Sequence, residues 1–443
     1  MHYSFIMKFS VVTISILFLA NTAFSQSITV EEDGIVRCEN VPIGSTETIS
    51  EITYEVVDRD LLILRRDEGK DLTTVCVSNV TDMSSMFDGK NFNQPIGNWD
   101  VSNVTNMRVM FRNKYFNQPI GNWDVSSVSD MSLMFESSIF NQPIGDWDVS
   151  NVTDMSTMFR GSTFNQPIGD WNVSSVINMS RLFYDSAFNQ PLEDWNVSNV
   201  TNMLGVFRSS IFNHPIGDWD VSNVTSMRFM FYDSAFNQPI GNWDVGSVTD
   251  MILMFYSSEF NQPIETWDVS NVTDMNSLFR DSQFNQFIGD WDVRNVTNME
   301  WMFANSPFNT PINTWCVTSF ITEPAAFSTG SPLTEQNKPI WGTCPDPTSI
   351  ESDERTSTIT LLQNYPNPFN PSTVIGFQLS ETSHVQLTIH DALGREVAVL
   401  VSQRIAAGSH QIEWMANQMA SGMYVYRLTA NGTMITGKMM LMK

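Results

Sequence analysis

Residues 92–111 read F-N-Q-P-I-G-N-W-D-V-S-N-V-T-N-M-R-V-M-F, and close copies of that text return every 24 residues. Trp99, Trp123, Trp147, Trp171, Trp195, Trp219, Trp243, Trp267, Trp291 and Trp315 mark ten registers without one insertion or deletion. In step with them run Met83 through Met299, Phe87 through Phe303, and Asn93 through Asn309, each of these Asn preceded by Phe. A fixed period of this length signals a solenoid, in which each unit buries its apolar positions only against its neighbours.

The unit itself sets further expectations. Met107, Met110 and Phe111 stand at i, i+3 and i+4, the spacing of one face of a helical turn, and Thr105 is placed to cap it. Trp99 and Val101 alternate with Asp100, as in a short strand with Asp outward. Pro95 has no N–H to give a ladder, so Phe92 to Ile96 is expected to be extended but irregular. The Asn93 series is expected to form an inward amide ladder bonding backbone groups in the turn of each coil. The Met and aromatic stripes read as core. The fold class expected is a leucine-rich-repeat-like solenoid, with a short parallel strand and a short helical turn in each 24-residue coil, followed by a small antiparallel β-sandwich.

The repeated unit resembles the repeats of BspA-type leucine-rich-repeat surface proteins, and the resemblance covers Val77 to Cys316. Departures are few: Phe287 replaces the repeated Pro and His214 the repeated Gln. The resemblance implies a secreted or surface-exposed protein of adhesive or interaction type.

Composition narrows the function. The chain has 443 residues and a formal charge of −25, and Val77–Cys316 alone holds 10 basic against 26 acidic residues. Such a balance argues against nucleic acid, whose phosphates demand a basic surface, and against a polybasic membrane-surface protein. Five His (His2, His214, His384, His390 and His410) leave little for a triad or a His-rich metal site. No catalytic residue, metal or cofactor is expected. Carboxylate pairs such as Asp146/Asp148, Asp218/Asp220 and Asp290/Asp292 recur at equivalent positions, whereas acid–base catalysis needs one pocket that drives two pKa values apart. Ca²⁺ between coils is another use for stacked carboxylates. Asn98, Asn172, Asn196 and Thr266 interrupt that row, so a solvated acidic face is expected.

Residues 1–25 read as a secretory signal: Lys8, then the apolar Phe9 to Ala20, then Ala23-Phe24-Ser25 before Gln26. The apolar stretch is too short to span a bilayer, and no other stretch reads as a transmembrane segment. Cys38, Cys76, Cys316 and Cys344 allow three pairings. Cys76 and Cys316 hold the same register position ten periods apart, beyond disulfide reach of each other. The expected bridges are therefore Cys38–Cys76 and Cys316–Cys344, stapling an N-terminal cap (26–76) and a C-terminal cap (317–350) over the ends of the 77–316 array. The alternating Ile52-Thr53-Tyr54-Glu55-Val56 is expected to be a strand of the first cap.

Beyond a polar linker at 351–360 the pattern changes. Val385, Leu387 and Ile389 alternate with polar residues, as in short antiparallel strands. Asn364-Tyr365-Pro366-Asn367-Pro368-Phe369-Asn370-Pro371, then Asp391-Ala392-Leu393-Gly394-Arg395, then Ser421-Gly422-Met423-Tyr424 and terminal Lys443 resemble a type IX secretion C-terminal sorting domain over 361–443. That resemblance implies export, the type IX secretion machinery as a partner, removal of the module and attachment to the cell surface.

The candidate binding residues lie where the units disagree. The position after the repeated Phe reads Asp88, Arg112, Glu136, Arg160, Tyr184, Arg208, Tyr232, Tyr256, Arg280 and Ala304, and the adjoining turn adds Arg108, Arg181, Arg228, Phe229 and Trp301. Arg and Tyr are enriched in binding hot spots. Arg112, Arg160, Tyr184, Arg208, Tyr232, Tyr256, Arg280, Arg228, Phe229 and Trp301 are therefore expected to contact a protein or glycan ligand.

Overall fold

A computed structural model describes residues 27–112, 114–345 and 359–442, the last apart from 363, 365, 380–381, 392–394 and 431–432. The leader expected at 1–25 lies outside the described residues, as does most of the 351–360 linker. The chain divides into two compact units, Met1–Pro345 and Asp346–Lys443.

The first unit opens with short strands. β1 (Thr29–Val30) pairs antiparallel with β2 (Val36–Arg37), and β3 (Thr46–Ile49) pairs antiparallel with β4 (Ile52–Val56). β4 also takes β5 (Val75–Cys76) as a parallel neighbour. Tyr54 and Val56 of β4 point inward onto Ile28, Val36 and the Cys38–Cys76 disulfide. Between β4 and β5 lies α1 (Arg59–Asp67), whose first turn is capped by the Asp58 carboxylate accepting the Leu61 N–H at 2.9 Å.

The leucine-rich-repeat-like solenoid does not form. The one α-helix among the described residues is α1, in the N-terminal cap, and every pairing between named strands except β4–β5 is antiparallel. From 77 to 345 the described chain consists of tight turns, bends and single-residue bridges. Left-handed backbone is the physical reason. Ser85, Val109, Leu133, Thr157, Arg181, Gly205, Phe229, Leu253, Ser277 and Trp301 have φ between 55° and 63°. They stand between the two Met positions, inside what the i, i+3, i+4 spacing presents as a helical turn. A left-handed residue there turns the next peptide away from the i−4 carbonyl that a helix requires.

The N–H groups alternate instead. Met107, Val109 and Phe111 donate to Asp130, Ser132 and Met134 of the following unit, each at 2.9 Å, while Met110 N–H closes back on the Met107 carbonyl at 3.1 Å. The parallel ladder is one residue wide, running Asp82, Asn106, Asp130, Asp154 and onward to Asn298. It is not at Trp-Asp-Val, because the Trp123 N–H closes a turn on the Ile120 carbonyl. Trp and Val there do point inward and Asp124 outward, but Asp100, expected to face outward, is buried, accepting from Ser78 Oγ at 2.7 Å and paired with Arg37 of the N-terminal cap at 3.3 Å.

The repeated apolar residues form one continuous core. Trp99 and Trp123 stack with ring centres 6.4 Å apart and planes nearly parallel, and Phe111 stacks on Phe116 at 3.9 Å. Each indole N–H finds a carbonyl of the preceding unit, as Trp195 does on Ile168 at 3.0 Å. The Asn93 series is a ladder, but a partly exposed one that joins units: the Asn93 side-chain oxygen accepts the Asn117 N–H at 3.0 Å, and the pattern repeats to Asn309.

The first unit of the array has no predecessor to donate to its carbonyls, and α1 supplies the donors. Arg59 gives its guanidinium to the carbonyls of Asp82 and Ser84, each at 2.8 Å, and Arg66 bonds the Met86 carbonyl. At the far end Trp301, Phe303 and Asn305 donate to Ala325, Phe327 and Thr329 of the closing segment, which Cys316–Cys344 fastens.

The second unit contains two antiparallel sheets, β10-β7-β6 and β12-β11-β8-β9. The first is built from β6 (Ile359–Leu361), β7 (Ser372–Leu379) and β10 (Gly408–Met415), the second from β8 (Ser383–Asp391), β9 (Glu396–Ile405), β11 (Gly422–Ala430) and β12 (Thr433–Leu441). Ile375 and Phe377 of one sheet share a core with Leu387, Ile389 and Tyr426 of the other. Asn364 is buried, donating to Thr373 Oγ1 at 2.9 Å, and Phe369 N–H bonds the Met440 carbonyl at 2.9 Å.

Trp195→Phe tests the array. It orphans the Ile168 carbonyl and opens a gap beside Trp219, and we expect it to cost about 2 kcal/mol, read from the urea midpoint at constant slope.

Candidate functional site

Every unit buries its repeated Phe and, because the following N–H turns back on the left-handed residue, places the next side chain on the surface. Arg112 N–H bonds the Val109 carbonyl in this way. Since the units stack in register, these side chains meet their counterparts in adjacent units. Seven of the ten expected binding residues share this position and form a row, and Arg228, Phe229 and Trp301 lie in the adjoining turn.

The row begins with ion pairs. Arg112 grips Asp88 through Nε and Nη2, both at 2.8 Å, and reaches Glu136 at 3.7 Å. Asp88 is the chief cause of an upward shift in the Arg112 pKa. Arg160 pairs with the same Glu136 at 2.9 Å. Rings then replace carboxylates. The Tyr184 ring lies between the guanidiniums of Arg160 and Arg208, at 5.0 and 4.9 Å from its centre, and Arg208 also lies 4.4 Å from the centre of Tyr232. Tyr232 stacks on Tyr256 at 4.6 Å, and Arg280 lies 5.6 Å from Tyr256 and 4.5 Å from Trp301. Burial first, then the Asp281 carboxylate, push the Tyr256 hydroxyl up. Phe229 lies beside the row with Arg208 and Arg228 at 5.0 and 4.9 Å from its ring.

Sequence reasoning found the basic and aromatic members but not their counter-charges. Asp88 and Glu136 share their register position, and Asp281 binds Arg280 at 3.2 Å. The opposite charges one period apart at 88, 112, 136 and 160 were the signal. Reasoning also passed over Gly205, the one unit without a side chain at the left-handed position.

The acidic positions behave differently. Asp146 and Asp148 are exposed. The carboxyls of Asp148, Asp220 and Asp268 are all held below the usual carboxylate range by the Ser two residues on. At Asp220 the donors are Ser222 Oγ at 2.6 Å and its N–H at 3.1 Å. These carboxyls shift in one direction, which is what acceptance from a neighbouring hydroxyl and amide does.

The repeat region matches a family described as Mycoplasma protein of unknown function, DUF285, over residues 64–163, 136–237, 158–259 and 233–341. Together these matches span more than half of the chain. The chain belongs to the DUF285 family. The likeness to BspA-type leucine-rich-repeat proteins therefore stays a resemblance of the repeat unit. Residues 363–442 of this DUF285 protein match the secretion system C-terminal sorting domain, which implies export by type IX secretion machinery and a cell-surface or extracellular location. No helix among the described residues is long and apolar enough to cross a membrane. No curated protein matches the chain.

Two measurements check this site. A double-mutant cycle between Arg208→Met and Tyr232→Leu, read by urea denaturation, is expected to return a coupling of about 0.5–1 kcal/mol in favour of the native pair. Ser222→Ala is expected to raise the Asp220 titration midpoint, followed by carboxyl carbon NMR, toward the ordinary value of 3.8. A carboxylate held low in the folded state contributes stability above its unfolded pKa and loses it as pH falls through the folded value. The Ser222→Ala variant should therefore lose less stability on acidification below pH 4 than the parent.

Proposed function

We propose that this exported DUF285 protein is a non-enzymatic adhesin or interaction protein, which holds a protein or glycan ligand along the Arg/aromatic row. The supporting observation is the row's continuity: nine Arg, Tyr and Trp side chains, the types enriched in hot spots, lie with Phe229 on one edge of an otherwise acidic array. Tyr184, Arg208, Tyr232, Tyr256 and Arg280 are half-buried, so part of each reaches solvent while its contacts with the adjacent units are kept. Such a row is rigid before any ligand arrives, which lowers the ordering cost of binding.

A second reading, a passive surface spacer, draws on the same contacts. Cation–π and ion pairs between successive units stiffen the array whether or not anything binds.

The deciding experiment compares the purified chain with a variant in which Arg112, Arg160, Tyr184, Arg208, Tyr232, Tyr256 and Arg280 are all Ser. Both are tested against a panel of proteins, glycans and intact cells, with circular dichroism to check folding. Saturable binding that disappears in the variant is the expected result. Binding that survives moves the site off the row, and an absence of binding by the parent favours the spacer.

A further inference from the structure

The row is not uniform along its length, and the difference locates a site. At the N-terminal end Arg112 and Arg160 are neutralised by Asp88 and Glu136, and farther along Arg280 is neutralised by Asp281. Between them stand Arg181, Arg208 and Arg228. Among the described residues no carboxylate lies within ion-pair distance of Arg181 or Arg208, and Arg228 reaches Asp250 only at 3.9 Å. The Nε of Arg208 is buried and has no hydrogen-bond partner. A buried guanidinium donor without an acceptor is costly, and cations grouped without counter-charge repel one another.

Gly205 lies at the centre of this group. A Cβ placed there would stand 3.7 Å from Arg181 Cγ, 3.7 Å from Arg208 Cβ and 3.8 Å from Phe229 Cβ. The other units fill this left-handed position with Ser, Val, Leu, Thr, Arg, Phe or Trp. Its emptiness here makes a notch walled by the Arg181 stem and Phe229, with Arg208 beside it.

We infer that this notch binds the single anionic group, carboxylate or sulfate, of an acidic sugar at the end of a glycan chain. This rests on the reading of the row as a binding face and names its ligand. The guanidiniums supply the paired N–H donors that suit a planar or tetrahedral oxyanion, and Phe229 offers apolar surface to the sugar's C–H groups. One charge fits where a polyanion does not. The chain's net charge of −25 repels a long run of sulfates or phosphates, whereas a single acidic residue meets only the local basic group.

Calorimetry with the purified chain tests this against matched oligosaccharides. They end in a carboxylated sugar, a sulfated sugar, or the same sugars reduced to the alcohol or desulfated; a long sulfated polysaccharide and an acidic peptide complete the set. One or both of the singly charged glycans is expected to bind and the neutral ones not; the two charged arms tell carboxylate from sulfate. Gly205→Leu fills the notch with a residue that the units at Leu133 and Leu253 already carry there at the same backbone angle, and circular dichroism and the urea midpoint are expected to show the fold retained. It and Arg208→Gln are each expected to weaken binding by about tenfold or more. Arg294→Gln, paired with Asp292 away from the row, is expected to leave binding unchanged.

Equal binding of the neutral sugars overturns the inference, as does a preference for the long polyanion or the acidic peptide. If the seven-residue Ser variant abolishes binding while Gly205→Leu and Arg208→Gln do not, the row stands as a binding face and the notch falls. If the parent binds none of the set but binds other members of the wider panel through the row, only the notch falls. If it binds nothing at all, both fall.

Discussion

The repeat region depends on the left-handed residue that stands between the two Met positions of each unit. Left-handed backbone costs an L-residue roughly 1–2 kcal/mol, and β-branched Val109 and Thr157 adopt it with φ of 62° and 63°. The position carries nearly every kind of side chain, so the residue's own preference does not hold the conformation. The next unit holds it, by accepting the N–H groups that the left-handed turn aims along the stack. The strain is offset by hydrogen bonds and by a core of Trp, Phe and Met that exists only when units are stacked in register. The requirement also explains the N-terminal cap: the first unit's carbonyls need donors, and Arg59 and Arg66 of α1 provide them.

Much of this was legible in the text. The 24-residue period names the core residues of the array, and the recurring Trp, Phe, Met, Val and Ile are buried. The pairing of Cys38 with Cys76 and of Cys316 with Cys344 followed from the register. The local backbone was not legible. Apolar residues at i, i+3 and i+4 lie on one side of a helical turn, but they also lie on one side of two successive tight turns with a left-handed residue between. Gly would have marked that residue, and only Gly205 among the ten positions is one. The ladder was placed at Trp-Asp-Val because alternation there mimics a strand, whereas the turn closed by Trp123 on Ile120 removes the N–H a strand would use.

The row of Arg and aromatic residues was readable as a set but not as an order. Residue type at the position after Phe shows what faces outward. Which Arg is neutralised, and by what, depends on contacts between units: Glu136 serves two Arg, while Arg208 lies among Tyr184, Phe229 and Tyr232 without a carboxylate. The contrast between paired and unpaired cations along one edge needs coordinates, because opposite charges one period apart in sequence do not by themselves fix which side chains meet.

Each unit bonds only to the one before and the one after, and both ends are closed by segments outside the repeat. Duplication or loss of a whole 24-residue block therefore lengthens or shortens the array while leaving every type of contact intact. A single inserted residue does not have that freedom, since it throws the Trp, Met and Asn files out of step at once. A gene built this way can change the number and order of outward side chains by recombination between its own repeats. The surface is editable in blocks, and the nine consecutive intervals without a gap are what that rule leaves behind.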